Sequence, residues 1–387
     1  MDFSFSEEQT AMKKVARDFA EKEISPYVEE DEENHYFRKE IFEKMGELGF
    51  FGCVVPEEYG GTDAGLLATL LMTEEISRIS VSWGIPFNAQ AGPSIAILKW
   101  GTEAQKQEYL PKLARGEIIG SFAMTEPDTG SDLVSMRTTA VEKNDHFLIN
   151  GSKMWITYAT IADLGLLFVY TDKKKKHAGM TCFLIDYTNM PGITTTNIKR
   201  KLGLHSCPTG EVALEDVKVP KDRMLGNMGD GFKVIMSLLD YTRLGASARA
   251  LGVGTACIEE VLKYTTERKA FGKKIIEFQM MQEQLAEMYV EHKAAQLLVY
   301  NAATNKDKGV FNRIDSSLAK YYAAEAAVKA SGNAVKMFGS YGFSGEYKVE
   351  RFFRDSKSFQ IVEGTSNIHK TIIARNVLKE FEKHGVL

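Results

Sequence analysis

The sequence predicts an α+β fold: an N-terminal helical domain, a middle β-barrel-like domain and a C-terminal four-helix bundle. Three observations predict it. Apolar residues recur at helical spacing up to about residue 117. From there to about 225 the chain is rich in β-branched and aromatic runs separated by polar turns. From residue 231 helical spacing returns in long stretches. This order is not the strand–helix alternation of a doubly wound parallel sheet. The expected domains are residues 1–117, 118–225 and 226–387.

The elements follow in order. Ser6 and Gln9 read as a capping box, with Met12, Val15 and Phe19 as the apolar stripe of the helix behind it. Ile41, Met45 and Leu48 share a helical face that "GELGFFG" ends. "VVPEEYGG" is a loop, and residues 66–79 and 94–115 read as helical. "HFLINGSKMWI", "LGLLFVYT" and "MTCFLIDYT" read as strands, and "GEVALEDVKVP" (210–220) alternates like a half-buried one. "DKKKKHAG" is a solvated turn between strands. In the last third, Ile258, Val261, Leu262 and Thr265 share a face. So do Met281, Leu285, Met288, His292, Ala295 and Val299, and then Tyr321, Ala324, Val328, Ser331, Val335 and Phe338.

Charge and cysteine usage narrow the function. The chain has 48 basic and 52 acidic residues, a net charge of −4, without the basic excess of a nucleic-acid binder. Cys53, Cys182, Cys207 and Cys257 lie far apart, with no C-x-x-C pair. That spacing argues against a disulfide framework and a zinc site and for a reducing compartment. The seven histidines show no metal-ligand spacing, so no metal is expected. The first residues lack the basic start and apolar run of a secretion signal. No stretch approaches the length of a membrane span. A cytoplasmic protein is expected.

Several stretches bear on chemistry. "GNMGDG" (226–231) and "GVGT" (252–255) match neither a dinucleotide fingerprint nor a P-loop, and read as a loop and a close helix contact. "TEPDTGSD" (125–132) crowds hydroxyls and carboxylates onto a Pro/Gly turn. It either holds a polar planar ring or a phosphate, or bonds only to itself. Trp155 in "KMWIT" reads as a core tryptophan when taken alone. "ERKAFG" (267–272) is a helix end or a phosphate clamp. Asp240 and Arg243 lie one helical turn apart, the spacing of a surface ion pair. His205 and Cys207 invite comparison with a nucleophile pair, but no orienting third residue stands nearby. Glu363 in "QIVEGTSNI" is the most unusual acid: it sits on a glycine-hinged turn behind Ile361 and Val362.

"AMTEPDTGSD", "GSKMWIT", "ERKAFG", "RDSKSFQIVEGTSNI" and the helix–sheet–helix order together resemble the acyl-CoA dehydrogenase family, over essentially the whole chain. The resemblance implies FAD as cofactor and removal of the α and β hydrogens of an acyl-CoA thioester. A glutamate takes the α proton, and flavin N5 takes the β hydride. An electron-transfer flavoprotein is the implied acceptor, and a homotetramer the implied assembly. Glu363 matches the family's base. An apolar pocket that closes over substrate desolvates a carboxylate and makes it a stronger base. The backbone N–H at this position and an FAD ribityl hydroxyl polarise the thioester carbonyl in the family, with Gly364 allowing close approach. By the same resemblance Met124, Thr125 and Ser131 meet the flavin, and Ser131 also the acyl-CoA. Trp155 and Thr157 cover the isoalloxazine ring. Arg268, Phe271 and Gln279 reach the FAD of a neighbouring subunit. Lys336 and Gly339 lie in the stretch lining the pyrophosphate, and Thr365 and Asn367 beside adenosine and pyrophosphate. Asp240 and Arg243 lie near the pantetheine and adenine ends of CoA.

The chain departs from the family pattern in places. Lys336 stands where many members carry Gln, Ser340 where many carry Gly, His205 for a frequent arginine and Cys207 for a frequent serine. "HSCPTGE" resembles glutaryl-CoA dehydrogenases of the anaerobic type, with some likeness to alicyclic acyl-CoA enzymes. Glutaryl-CoA enzymes carry an arginine for the substrate carboxylate in the segment matching residues 80–94. Here no Arg or Lys occurs between Arg78 and Lys99. The window therefore predicts a neutral acyl group, cyclic or short and branched. The alternatives are a glutaryl-CoA-type dehydrogenase, or an enoyl-CoA reductase or acyl-CoA oxidase using the same site.

Overall fold

The computed structural model describes residues 4–385; residues 1–3 and 386–387, assigned above to the ends of the first and last domains, lie outside the described residues. The helical N-terminal region contains α1 (Glu7–Phe19), α2 (Val28–Asn34), α3 (Lys39–Glu47), α4 (Gly65–Ile79), α5 (Val81–Trp100) and α6 (Glu103–Ala114). The capping box at α1 forms: Ser6 Oγ accepts from Gln9 N at 3.1 Å and Gln9 Oε1 from Ser6 N at 3.0 Å. Ile41 and Met45 are buried on α3, but Leu48 is exposed. The helix ends at Glu47, and Gly49 at φ +75° turns the chain away.

Helix α5 escaped the sequence reading, which began a helix at 94. It is buried on nearly every side, so it has no polar face to set a period, and Pro86 and Pro93 sit inside it. It stops at Trp100. Thr102 then caps α6 with a second box, its Oγ1 accepting from Gln105 N at 3.3 Å.

The middle region carries β1 (Gly120–Ala123), β2 (Thr139–Glu142), β3 (His146–Thr157), β4 (Leu164–Tyr170), β5 (Met180–Asp186), β6 (Ile193–Asn197), β7 (Thr209–Pro220) and β8 (Met224–Leu225). They form one mixed sheet in the order β6-β7-β3-β2-β4-β5-β8, with β1 added to β4 in parallel. The sheet is not closed into a barrel; its path ends at β6 and β8. The physical reason is helical cover. Leu164, Leu166 and Phe168 pack against Ile97, Leu113, Val234 and Leu238, while Leu167 and Val169 face Val212 and Val217 of the sheet's other half. A sheet buried by helices on one face does not need closure, and its central strand reads "LGLLFVY" without alternation.

The last region begins with α7 (Gly231–Glu267), roughly 55 Å long at 1.5 Å per residue. A small hairpin follows, β9 (Lys269–Ala270) with β10 (Lys273–Lys274). Then come α8 (Gln279–Asp307), α9 (Arg313–Phe338), α10 (Val349–Ser356) and α11 (Ser366–His384). Helix α7 packs on α8 and α9, and also on α4 and α5 of the first region. This makes α7 the wall shared by the two helical regions, and its Arg249 reaches the cavity described next. Among the described residues no helix is long and apolar enough to cross a membrane.

Candidate active site

A cavity of about 470 Å³ lies where α5, α7, the sheet and the chain before α11 meet. Its wall includes Ile85, Ala89, Ser121, Phe122, Trp155, Thr157, Arg249 and Glu363. Glu363 belongs to the turn between Gln360 and the start of α11. It holds φ +56° and Gly364 φ +95°. A Cβ on Gly364 would lie 3.1 Å from His369 Nε2 and in a backbone region that L side chains avoid, so the position requires glycine. A non-glycine residue in the left-handed region is uncommon and tends to mark functional strain. Trp155 shares the feature at φ +62°, where β3 slips register against β7 between Lys153 and Ile156.

Buried donors hold the Glu363 turn. Thr242 Oγ1 of α7 donates to Glu363 Oε2 at 2.6 Å. Arg243 Nε donates to the Glu363 carbonyl at 3.4 Å, and His369 Nε2 lies 3.3 Å from the same oxygen. Burial pulls His369 down to about 3, so its ring is neutral at ordinary pH. Lys320 Nζ of α9 reaches the carbonyls of Phe359 at 2.6 Å and Gly364 at 2.7 Å, clamping both sides of the turn. Burial lowers Lys320 to about 8, with Glu363 opposing. Glu325 repeats the clamp, accepting from Gln360 Nε2 at 2.8 Å and Ser366 Oγ at 2.6 Å. Asn88 Nδ2 of α5 donates to the Thr242 carbonyl at 2.9 Å, tying the α5 wall of the cavity to the threonine that holds Glu363.

The structure brings some predicted residues to this cavity and leaves others outside. Trp155, Thr157 and Glu363 line it. Trp155 is 53% exposed, which rules out the core reading of that residue. Arg243 and Gly364 adjoin Glu363. Asp240 does not pair with Arg243 at the surface. It is buried and turns its carboxylate to Arg313 Nε at 3.4 Å and Lys306 Nζ at 4.0 Å. Met124 and Thr125 are half-buried beside β3, their carbonyls accepting from Lys153 Nζ (3.2 Å) and Met154 N (2.9 Å). Ser131 is exposed on the turn behind them. Thr365 caps α11 by accepting from Ile368 N at 3.3 Å, and Asn367 is exposed in its first turn.

Arg268, Phe271, Gln279, Lys336 and Gly339 lie apart from the cavity wall, on or near the β9–β10 hairpin and the end of α9. Arg268 stands over the Tyr341 ring at 5.6 Å, and Phe271 is 95% exposed at φ +51°. The His205–Cys207 pair is not a nucleophile site. Cys207 is buried and its thiol is pushed up to about 11 by that burial, while His205 Nε2 meets the Lys201 carbonyl and its ring stacks on His35.

The residues present fit FAD. A half-exposed tryptophan face at a strained bulge, beside Thr157 and the polar turn at 125–132, suits a flat ring with polar edges. The protruding Phe271 and the open space around Gly339 suit a contact outside this chain's own cavity.

Asp355 also lines the cavity, and its pH response is testable. Its Oδ1 accepts from Leu204 N at 2.7 Å while Oδ2 is buried without a partner among the described residues. Burial, then the nearby Glu32 charge, pushes Asp355 up to about 7 from 3.8. The folded form thus binds a proton the unfolded form releases between about pH 4 and 7. Stability from this group is present below pH 4 and lost as pH rises through 7. Burial raises the nearby Glu32, but its hydrogen bonds to Ser206 and Ser82 outweigh it and hold Glu32 below its ordinary value. An Asp355→Asn variant is expected to gain more stability at pH 8 than at pH 5, the difference being a few kcal/mol at about 1.4 kcal/mol per tenfold change in proton affinity. Denaturation at both pH values checks it. An equal shift at both would refute the assignment.

Sequence reasoning missed Thr242, Lys320 and Arg249. Thr242 is adjacent to the predicted Arg243. Lys320 and Arg249 stand on buried, alanine-rich helix faces, where a cation is itself the signal.

Comparisons follow the same lines. Three family models match the chain: "Acyl-CoA dehydrogenase, N-terminal domain" over residues 6–117, "middle domain" over 121–217 and "C-terminal domain" over 229–378. A glutaryl-CoA dehydrogenase of Desulfococcus multivorans is 46% identical over 98% of each chain. The caffeyl-CoA reductase-Etf complex subunit CarC of Acetobacterium woodii is 39% identical, covering 97% of this chain and 100% of that one. A glutaryl-coenzyme A dehydrogenase solved as its glutaryl-CoA complex superposes with a TM-score of 0.96 at 45% identity, over 98% of this chain and 97% of that one.

Proposed function

The chain belongs to the acyl-CoA dehydrogenase family, and from that premise we propose that Glu363 is the base that takes the α proton of an acyl-CoA thioester. The enzyme is an FAD-dependent oxidoreductase acting on the CH–CH bond of acyl-CoA. Bound FAD supplies the acceptor for the β hydride. The observation that carries the assignment is a carboxylate held on a strained turn, facing the same cavity as an exposed tryptophan, with its Oε2 fixed by Thr242 at 2.6 Å. The Thr242 bond leaves Oε1 to meet the α hydrogen. The Glu363 backbone N–H is the chain's own donor toward the thioester carbonyl, and polarising that carbonyl acidifies the α carbon. The Lys320 and Glu325 clamps keep carboxylate and N–H in one geometry, which is what proximity catalysis requires.

The remaining assignments complete this reading. Residues 1–117, 118–225 and 226–387 act as three domains. Met124, Thr125, Ser131, Trp155, Thr157, Thr365 and Asn367 hold the FAD of their own chain. Arg268, Phe271 and Gln279 reach the FAD of a second copy in a homotetramer, supported by the 95% exposure of Phe271. Lys336 and Gly339 accompany the pyrophosphate. Asp240 and Arg243 serve the CoA end of the substrate. The enzyme works in the cytoplasm, and an electron-transfer flavoprotein is its acceptor. The Etf-complex relative supports that partner, and also supports a second reading in which the same site runs as an enoyl-CoA reductase.

The test is anaerobic titration of the purified yellow protein with acyl-CoAs, followed by addition of an electron-transfer flavoprotein. Bleaching by an acyl-CoA and re-oxidation by the flavoprotein are expected. Re-oxidation by dioxygen at the turnover rate would instead make it an oxidase. A colourless protein that does not reconstitute with FAD would refute the reading.

A further inference from the structure

The cavity holds a charged group that proton abstraction leaves unused. Arg249 projects from α7, is 5% exposed and lines the cavity that Glu363 lines. Its Nη1 is buried without a hydrogen-bond partner among the described residues. The helix opposite makes room for it: a Cβ at Gly84 of α5 would lie 3.0 Å from Arg249 Cγ and 3.2 Å from Cδ. A buried guanidinium with an unsatisfied N–H is destabilising unless an anion completes it. Ile85, Ala89 and Phe122 supply apolar surface to the same cavity, whose charged lining includes Asp355, Arg354 and Glu363, and Glu363 is the first charge that acts on the guanidinium. Asn88 in the same wall already spends its amide on Thr242. Arg249 is therefore a buried cation in the cavity wall, with an N–H left to hydrogen-bond.

We propose that Arg249 anchors a carboxylate at the far end of the acyl group, making the substrate a short ω-carboxyacyl-CoA. This deepens, and rests on, the reading of the Glu363 cavity as the acyl-CoA site. Thr242 and Arg249 are seven residues apart, so they share a face of α7 about 10 Å apart along its axis. Thr242 holds the base at one end of that span and Arg249 stands at the other. The planar fork of a guanidinium binds a carboxylate through two parallel hydrogen bonds and fixes the chain's direction as well as its end. The absence of a cation from residues 80–94 therefore does not leave the tail pocket neutral. The cation comes from α7, across the cavity from α5.

The experiment uses the FAD-loaded Glu363→Gln protein, which binds without turnover. Dissociation constants for glutaryl-CoA and butyryl-CoA are measured by calorimetry with Arg249 intact and as Arg249→Met and Arg249→Lys. Glutaryl-CoA is expected to weaken roughly 30-fold or more in Arg249→Met, because one partner of a desolvated charge pair is gone. Arg249→Lys should retain part of the affinity. Butyryl-CoA should change little in either. Equal losses for both ligands would show that Arg249 only shapes the site, and would overturn the proposal. So would unchanged glutaryl-CoA binding. If the Met variant does not fold, the Lys variant decides on the same two ligands. Failure of the parent protein to bind either ligand would overturn the acyl-CoA reading itself.

Discussion

The Glu363→Gln protein is expected to keep its FAD, bind acyl-CoA and lose turnover by roughly 10³- to 10⁴-fold, the upper part of the range for a positioned general base. Glutamine is nearly isosteric with glutamate. Its side-chain oxygen can still accept from Thr242, so the 2.6 Å contact has a successor. The Lys320 clamp acts on the carbonyls of Phe359 and Gly364 and does not involve the Glu363 side chain. The turn, the left-handed backbone and the cavity should survive. What is lost is the lone pair basic enough to take an α proton, since an amide oxygen does not accept it to any useful degree. Rapid mixing of the variant with substrate would show binding without bleaching of the flavin band. Bleaching within about tenfold of the parent rate would mean that another group removes the proton. The thiol of Cys207 is not such a group, because burial holds it protonated.

How much of this was legible depends on the range of the interaction. The Glu363 turn is local. "VEGTS" carries its glycine hinge and its helix cap within five residues, and the structure keeps both. The capping box at Ser6 and Gln9 was legible for the same reason. Period-based reading worked for helices with one wet face and failed for α5, which has almost none. It also failed for sheet closure. The inner face of "LGLLFVY" and its helix-covered face are equally apolar, so nothing in the string tells a closed barrel from an open sheet under helices. Trp155 was misjudged in isolation because a β-rich segment normally buries its tryptophan, whereas here a register shift at positive φ turns it outward. Thr242, Lys320 and Arg249 lie 121, 43 and 114 residues from Glu363 in the chain. Only the packing of α7 and α9 around the turn reveals them. The trace of Lys320 and Arg249 in the sequence is a cation among alanines, a conflict of local pattern that tends to mark function, whereas Thr242 leaves none beyond its place beside Arg243.

The second large effect is expected at Lys153. Its side chain is fully buried, and its Nζ sits 2.9 Å from Glu126 Oε1 and 3.2 Å from the Met124 carbonyl. Glu126 in turn accepts from Arg137 N at 2.6 Å, Thr138 N at 3.0 Å and Thr138 Oγ1 at 2.5 Å. One carboxylate thus ties the start of the 125–132 turn to the chain entering β2 and, through Lys153, to β3, which carries Trp155. Burial works against the charge on Glu126, but Lys153 and these hydrogen bonds together hold it below its ordinary value. Lys153→Met removes the counter-ion and leaves a buried carboxylate facing only neutral donors. Breaking a buried pair from one side costs about 3–5 kcal/mol. Because the same residues frame the 125–132 turn, proposed above to hold the flavin, the variant should also emerge with reduced FAD content, visible as a lower ratio of flavin to protein absorbance. Glu126→Gln combined with Lys153→Met removes both charges while keeping the size and most acceptors of the carboxylate. It should therefore recover part of the stability lost by the single change, and the double-mutant cycle measures the coupling. A single Lys153→Met variant within about 1 kcal/mol of the parent, with full flavin, would show that the backbone and Thr138 donors hold this turn without the lysine.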